Sequence, residues 1–290
     1  MFRGTTTTTS ATLFYRNELV WSWNVGTNGA TGSPATGDSV YRIASISKVF
    51  VWLLGLIAEQ KGLIHMDDPV TKTVPDLQLI DGFHNVSSGL NNKFTWRQMA
   101  GHLAGFPREA PCRFINCNHT TSEMIAKLRR TYLVLPPQTL PSYSNLALAL
   151  MGRLLADRIF NENGASYEQL VKKYILDPLH MKNTGFVPTA TSVPPSTGSS
   201  FIDMKWLSPA GQMFSSPNDL SQLAMVLGSA GQPTGLFANP PIRSSAASGR
   251  SRDVSAPSID ASQAFTSRRT QMDGDAPWSV LGIPSSVLRE

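Results

Sequence analysis

Residues 41–58 read YRIASISKVFVWLLGLIA, a polar opening followed by ten residues without a single polar side chain. That apolar run, Val49 to Ala58, is about half of what a bilayer span requires. Val49, Trp52, Leu53 and Ile57 recur at helical spacing, which predicts a buried helix that ends near Gly62. At its head stands Ser45-Ile46-Ser47-Lys48. With nine lysines in a serine-rich chain, about one Ser-x-x-Lys is expected by chance, and the chain contains one. If the helix opens at Ser45, its hydroxyl and the Lys48 amine lie three residues apart on one face.

Two readings follow. In one, Ser45 is an N-cap and Lys48 a solvated side chain. In the other, they are a nucleophile and its proton partner. A serine hydroxyl attacks poorly at neutral pH unless a base stands beside it. A lysine in a partly apolar pocket, at the positive end of a helix, is discouraged from holding its proton. The Ser45 amide, in the first turn, would be free to bind an oxyanion.

The bulk composition limits the alternatives. A chain of 290 residues with 41% hydrophobic and 16% charged residues can bury a core of one large domain. The net charge of +5 is modest, and Arg129-Arg130, Lys172-Lys173 and Arg268-Arg269 are isolated pairs. Nucleic-acid binders show a basic stripe with interleaved aromatics instead, so no nucleic-acid partner is expected, and no membrane span. The start, MFRGTTTTTS, carries no signal-peptide signature. Cys112 and Cys117, the only cysteines, are close enough for a small disulfide loop if their side chains face each other. Asn85 and Asn118 each open a glycosylation sequon. Together these suggest a secreted or extracytoplasmic protein; the alternative is two free thiols and two unused sequons. Two cysteines with His119 nearby lack a fourth metal ligand, and nothing in the chain implies a cofactor.

Residues 11–15 and 19–23 read as the strands of a hairpin, followed by a glycine-rich loop over 26–38 and a brief extended stretch at 39–43. Helices are expected over 95–103, where Thr95 and Gln98 form a capping box, and over 121–132, 145–159, 167–175 and 217–227. Strands followed by a long helical stretch make an α+β pattern, an antiparallel sheet plus a helical region. A lone hairpin is marginal, so further strands are needed, most naturally from the C-terminal end. Yet from Pro233 the chain is rich in Ser, Ala, Pro and Arg without period, as in SSAASGRSRDVSAPSIDASQ. The expected division is therefore a disordered segment over 1–10, a domain over 11–232 and a low-complexity tail over 233–290.

PSYSNLALALMG places Tyr143 and Asn145 at a loop-to-helix junction. In an extended segment, Tyr-x-Asn points both side chains one way. A phenol beside a lysine ammonium can act as a base, and Asn145 offers both a donor and an acceptor. The plainer reading is a capping asparagine after a core tyrosine.

Several stretches in order change the balance. LFYRNELVWSWNVG, YRIASISKVF, GLIHMDDPVTKTVPDL, FTWRQMAGHLAGFPRE, PSYSNLALALMGRLL, YILDPLHMKNTGF and SPAGQMFSSPNDLSQLAMVL resemble successive landmarks of the serine β-lactamase and penicillin-binding-protein superfamily, in its class C-like branch. The resemblance covers about residues 11–228. It implies a β-lactamase/transpeptidase-like fold with Ser45 as the acylated nucleophile and Lys48 as its proton partner. Tyr143 would be the base that serves the leaving group, and Asn145 would orient Lys48 and the substrate, a small molecule or peptide. His102 matches a position that is generally structural. The loop from Pro107 to Cys117 resembles secreted eukaryotic members.

The third motif of the superfamily, Lys or His, then Ser or Thr, then Gly on a strand beside the nucleophile, is not found. Ser196-Thr197-Gly198 precedes the SPAGQMF landmark, and Lys182-Asn183-Thr184-Gly185 has one residue too many. The C-terminal strands and the helix before the first hairpin have no counterpart either. The expectation is a chain shortened at both ends, with weakened folding and little activity, since losing one oxyanion donor costs about 10²–10³ in rate. A serine acyl hydrolase and an impaired module with a binding or structural role both remain open.

Overall fold

Runs of β-branched and aromatic residues build the first hairpin. In the computed structural model, which describes residues 8–15, 18–29, 31–83, 90–91, 93–112, 117–189, 192–193 and 202–228, β1 (Thr9–Tyr15) pairs antiparallel with β2 (Glu18–Val25). The register runs from Thr9 opposite Val25 to Leu13 opposite Trp21, then slips between Leu13 and Phe14. Such a slip bends the ribbon and increases its twist. The first strand thus starts at Thr9, so the last residues of the expected leading segment belong to the hairpin. β1 packs on α7 (Pro217–Gly228), whereas Leu19, Val20, Trp21, Trp23 and Val25 of β2 are exposed.

Among the described residues the hairpin has no third strand. The expected antiparallel sheet consists there of three two-stranded ladders. β3 (Tyr41–Arg42) pairs with β6 (Phe214–Ser215), and β4 (Leu79–Ile80) with β5 (Leu90–Asn91). The β3–β6 ladder ties the segment before Ser45 to the one after SPAG: Ile43 donates its N–H to the Met213 carbonyl at 3.0 Å. The expected tail over 233–290 and the sequon at Asn85 lie outside the described residues.

The helix predicted from residue 45 forms, with a correction at its head. Ala44–Ile46 is a 3₁₀ turn, and α1 runs over Ser47–Gln60. Ala44 has φ +44°, a left-handed conformation that costs a residue bearing a Cβ on the order of 1–3 kcal/mol. From Phe50 to Ala58 every residue of α1 is buried, because its apolar residues are not confined to one face. α1 is accordingly surrounded by α2 (Trp96–Ala100), α4 (Asn145–Leu154), α5 (Tyr167–Val171) and α6 (Ser208–Gly211).

The capping box read from Thr95 and Gln98 opens α2, and Thr120 with Glu123 forms another at α3 (Thr121–Leu128). α4 continues as a π-helix over Leu155–Phe160 and stops at Asn161, whose φ of +43° turns the chain left-handed. α6, only one turn long, fits against α4 at Gly152. A Cβ there would stand 2.8 Å from the Pro209 Cβ, so glycine permits the close approach.

Between α2 and α3 the chain reverses through His102 (φ +60°) and Gly105 (φ +71°). The Gly105 position is closed to other residues: a Cβ would lie 2.0 Å from the Leu135 carbonyl oxygen. The turn it makes carries residues 106–109 back to the start of α4. Replacing Gly105 with Ala should therefore destabilise the protein by at least the ~1–3 kcal/mol of a strained backbone. Urea unfolding should show this as a lowered midpoint with an unchanged slope, relative to the same substitution at open, negative-φ Gly82.

Candidate active site

The 3₁₀ turn at the head of α1 leaves Ser45 exposed while Lys48, one turn on, is 7% exposed. The Lys48 Nζ donates to three acceptors: Ser45 Oγ at 3.1 Å, Asn145 Oδ1 at 2.8 Å and the Ala210 carbonyl at 2.6 Å. These are as many as an ammonium has protons. Burial lowers the Lys48 pKa to about 8; the negative Glu109 opposes this and the positive Arg108 adds to it.

Tyr143 completes the group. Its hydroxyl lies 2.5 Å from Ser45 Oγ, either atom being able to donate. Ser144, with φ −134° and ψ 116°, is extended and caps α4, so Tyr143 and Asn145 both reach toward the same place. The expectation for Tyr-x-Asn in an extended segment holds. The structure thus brings Ser45, Lys48, Tyr143 and Asn145 together from two regions about a hundred residues apart. Ser47 anchors the turn from beneath, donating its hydroxyl to the Ala44 carbonyl at 2.6 Å and accepting the Met213 N–H at 3.1 Å.

The loop turned by His102 and Gly105 grips the head of α4. Ser142 N–H donates to the His102 carbonyl at 2.8 Å, and Ser144 N–H to His102 Nδ1 at 3.1 Å. Ser144 Oγ donates to the Pro107 carbonyl at 2.7 Å, and Asn145 N–H to the Arg108 carbonyl at 2.7 Å. Asn145 Nδ2 donates to Glu109 Oε1 at 2.8 Å. His102 also lies against the Tyr143 ring, with centroids 4.7 Å apart. Burial, and secondarily the Lys48 charge, push its pKa down to about 4, which keeps Nδ1 free to accept. The Arg108 guanidinium carbon stands 5.0 Å from the Tyr143 centroid, with Lys48 Nζ at 4.7 Å from it.

Arg108, Glu109, Ala210 and His102 had no chemical role assigned from the sequence. Arg108 and Glu109 end the FTWRQMAGHLAGFPRE stretch, adjacent to the His-x-x-Gly turn, and a charged pair after such a turn is a usable signal. Ala210 contributes a backbone carbonyl, which no side-chain pattern announces. His102, read as a core histidine, in fact touches the tyrosine of the site.

Cys112 and Cys117 form a disulfide, their Cα atoms 5.6 Å apart. Asn118 is exposed. His119 faces Lys127, with Nε2 3.0 Å from the Lys127 Nζ. Among the described residues no group of three or more His, Cys, Asp or Glu could hold a metal ion, and no helix is long and apolar enough to cross a membrane. Cavities of about 630 and 510 Å³ lie elsewhere, the larger beside Thr121, Arg153, Glu168 and Ser208. Hydrogen-bonding geometry locates the chemistry better than volume does. Arg153 in that larger cavity is already engaged by Glu168, Ser208 and the Lys205 and Trp206 carbonyls.

Residues 3–274 match the beta-lactamase family model. Beta-lactamase-like protein 2 of Dictyostelium discoideum is 32% identical over 236 residues, covering 74% of this chain and 41% of its own length. The chain thus spans about two-fifths of that relative. A beta-lactamase/D-alanine carboxypeptidase from Yersinia pestis, solved with citrate, superposes with a TM-score of 0.57 at 25% identity, over 72% of this chain and 59% of that one. A class C beta-lactamase from Rhodobacter sphaeroides gives 0.60 at 22% identity, over 75% and 60%. The order of landmarks, the α+β architecture and these similarities agree: the chain belongs to the beta-lactamase family and has the β-lactamase/transpeptidase fold.

Proposed function

We propose that the protein is a serine acyl hydrolase that acts through an acyl-enzyme on an amide, peptide or ester bond. The observation that carries this is the convergence of Lys48 and Tyr143 on the exposed Ser45 hydroxyl. When Lys48 is neutral it has two N–H groups and a lone pair. The Ala210 carbonyl and Asn145 Oδ1 have no hydrogen to give, so they keep the two donors. The lone pair then faces Ser45, the one contact of the three that can donate.

Ser45 Oγ attacks the substrate carbonyl carbon as its proton passes to the lone pair of neutral Lys48. The resulting oxyanion meets the Ser45 amide in the first turn. Collapse breaks the bond to the leaving group, which takes a proton through Tyr143. Water then attacks the Ser45 ester by the reverse sequence, releasing the acid. The name of the Yersinia protein suggests β-lactams or D-alanyl peptides as substrates. The Cys112–Cys117 disulfide supports an oxidising, extracytoplasmic setting.

One observation favours the second reading, an impaired module with a binding or structural role. Of the two partial matches to the third motif, Lys182–Gly185 is used structurally: Asn183 N–H and Thr184 Oγ1 donate to Asp219, and Gly185 pairs with Phe214. The other, Ser196–Gly198, lies outside the described residues.

A fluorophosphonate or penicillin probe should label the protein at Ser45, and Ser45→Ala should abolish labelling; peptide mapping that finds the label elsewhere, or none, sinks the hydrolase reading. Lys48→Ala should slow labelling by about 10²–10⁴. Because Lys48 acts when neutral, labelling should rise with pH through about 8 and then level off.

The His102 ring generates a stability prediction. Between about pH 6.5 and 4 the unfolded chain binds a proton on His102 that the folded chain refuses. Stability present above pH 6.5 should therefore fall as pH drops through that window. His102→Asn tolerates positive φ and keeps an acceptor, so it should flatten this dependence. Thermal melts of both proteins from pH 7.5 to 4 would show it; parallel curves would contradict the buried neutral imidazole.

A further inference from the structure

Glu109 has no part in the mechanism above, yet it is bonded to it. We infer that Glu109 is a positioning residue of the Ser45 site: its carboxylate holds the Asn145 amide in the one orientation that presents Oδ1 to Lys48. The inference rests on the reading of Lys48 as the proton partner of Ser45.

The polarity of the hydrogen bonds carries it. As an ammonium Lys48 can only donate, so the Asn145 atom that meets it at 2.8 Å is the oxygen, and the neutral amine keeps a donor on that same oxygen. The amide nitrogen then points the other way and requires an acceptor. Asn145 is 8% exposed, so water is a poor substitute. Glu109 Oε1 supplies the acceptor at 2.8 Å, and an ionised carboxylate can only accept. A flipped amide would set its NH₂ against an ammonium and its oxygen against a carboxylate, two repulsive contacts in place of two attractive ones. Charges of opposite sign at the two ends thus hold one asparagine in a single orientation.

The same carboxylate acts on Lys48 electrostatically. The groups that face Lys48 are Ser45 from the 3₁₀ turn, Tyr143 and Asn145 from the head of α4, the Ala210 carbonyl from α6, and His102, Arg108 and Glu109 from the loop. His102 stays neutral above its low pKa of about 4, leaving Arg108 and Glu109 as the charged pair. They oppose one another, with Arg108 Nε 3.4 Å from Glu109 Oε1. Removing the Glu109 charge leaves Arg108 and burial both favouring the neutral amine.

Glu109→Gln keeps an acceptor but loses the charge, whereas Glu109→Ala loses both. In the full chain, the Lys48 titration can be followed by NMR of ¹³Cε-labelled lysine, assigned with Lys48→Met. Its midpoint should fall in both variants, and the pH limb of Ser45 labelling should move to lower pH with it. On the high-pH plateau Glu109→Gln should label within about threefold of the unmodified chain. Glu109→Ala should be slower by about tenfold or more, the weight of one hydrogen bond to a charged group. A merely structural role would move the rate without moving the midpoint. Glu109→Ala labelling as fast as Glu109→Gln on the plateau, or an unchanged Lys48 midpoint in both variants, overturns the inference. Failure of the unmodified chain to label at any pH, with the midpoint still shifted, overturns the hydrolase reading and supports the electrostatic role of Glu109.

Discussion

A lysine amine taken out of water must have its protons met, and the architecture around Lys48 follows from that requirement. An unpaired buried ammonium costs several kcal/mol. Here the three acceptors come from three places in the chain: the turn before α1, the first residue of α4 and a carbonyl of α6. Each must be delivered within hydrogen-bonding distance of Nζ by packing that takes place elsewhere. Gly152 allows Pro209 to approach α4 closely, which seats α6 with the Ala210 carbonyl toward Lys48. The loop through Gly105 holds the head of α4 by backbone bonds to residues 102, 107 and 108. The site is thus a consequence of helix packing around α1 rather than of the hairpin.

That division explains what could be read from the sequence. Features encoded by local chemistry were legible: the hairpin from its two β-rich runs, α1 from its unbroken apolar run, α2 from its capping box, and the Tyr143–Asn145 pair at a loop-to-helix junction. The start of α1 was misplaced by two residues because Ser45 looks like an N-cap, whereas the chain uses the 3₁₀ turn and the Ser47 hydroxyl instead. The extended stretch at 39–43 holds β3, but its pairing with β6 and the β4–β5 ladder escaped because two-residue strands have no period to detect. The contribution of Ala210 is a backbone atom brought in from 162 residues away, and only the fold can place it.

The resemblance to class C-like enzymes assigned roles to four residues, and the geometry adds a layer beneath them. Asn145 can orient Lys48 only if something orients Asn145, and Glu109 does so on its far side. Tyr143 can hold its hydroxyl at Ser45 only if its ring is fixed, and His102 and Arg108 lie against that ring. All three belong to the loop that begins with a left-handed histidine. A conformation that costs strain at His102 therefore sets both the tyrosine and the asparagine.

Ala44 shows the same exchange at the nucleophile itself. A helix that simply began at residue 45 would bury its first side chains along with the rest of α1, since α1 is apolar on every face. The left-handed Ala44 and the 3₁₀ turn after it redirect the chain before the helix starts, so Ser45 faces outward while Ser47 and Lys48 face inward. The serine must be open to a substrate carbonyl, and the amine must be dry enough to lose its proton near neutral pH. Those demands conflict for two residues three positions apart on one helix. A strained junction between two helical forms reconciles them, and this gives the positive φ at Ala44 a chemical reason.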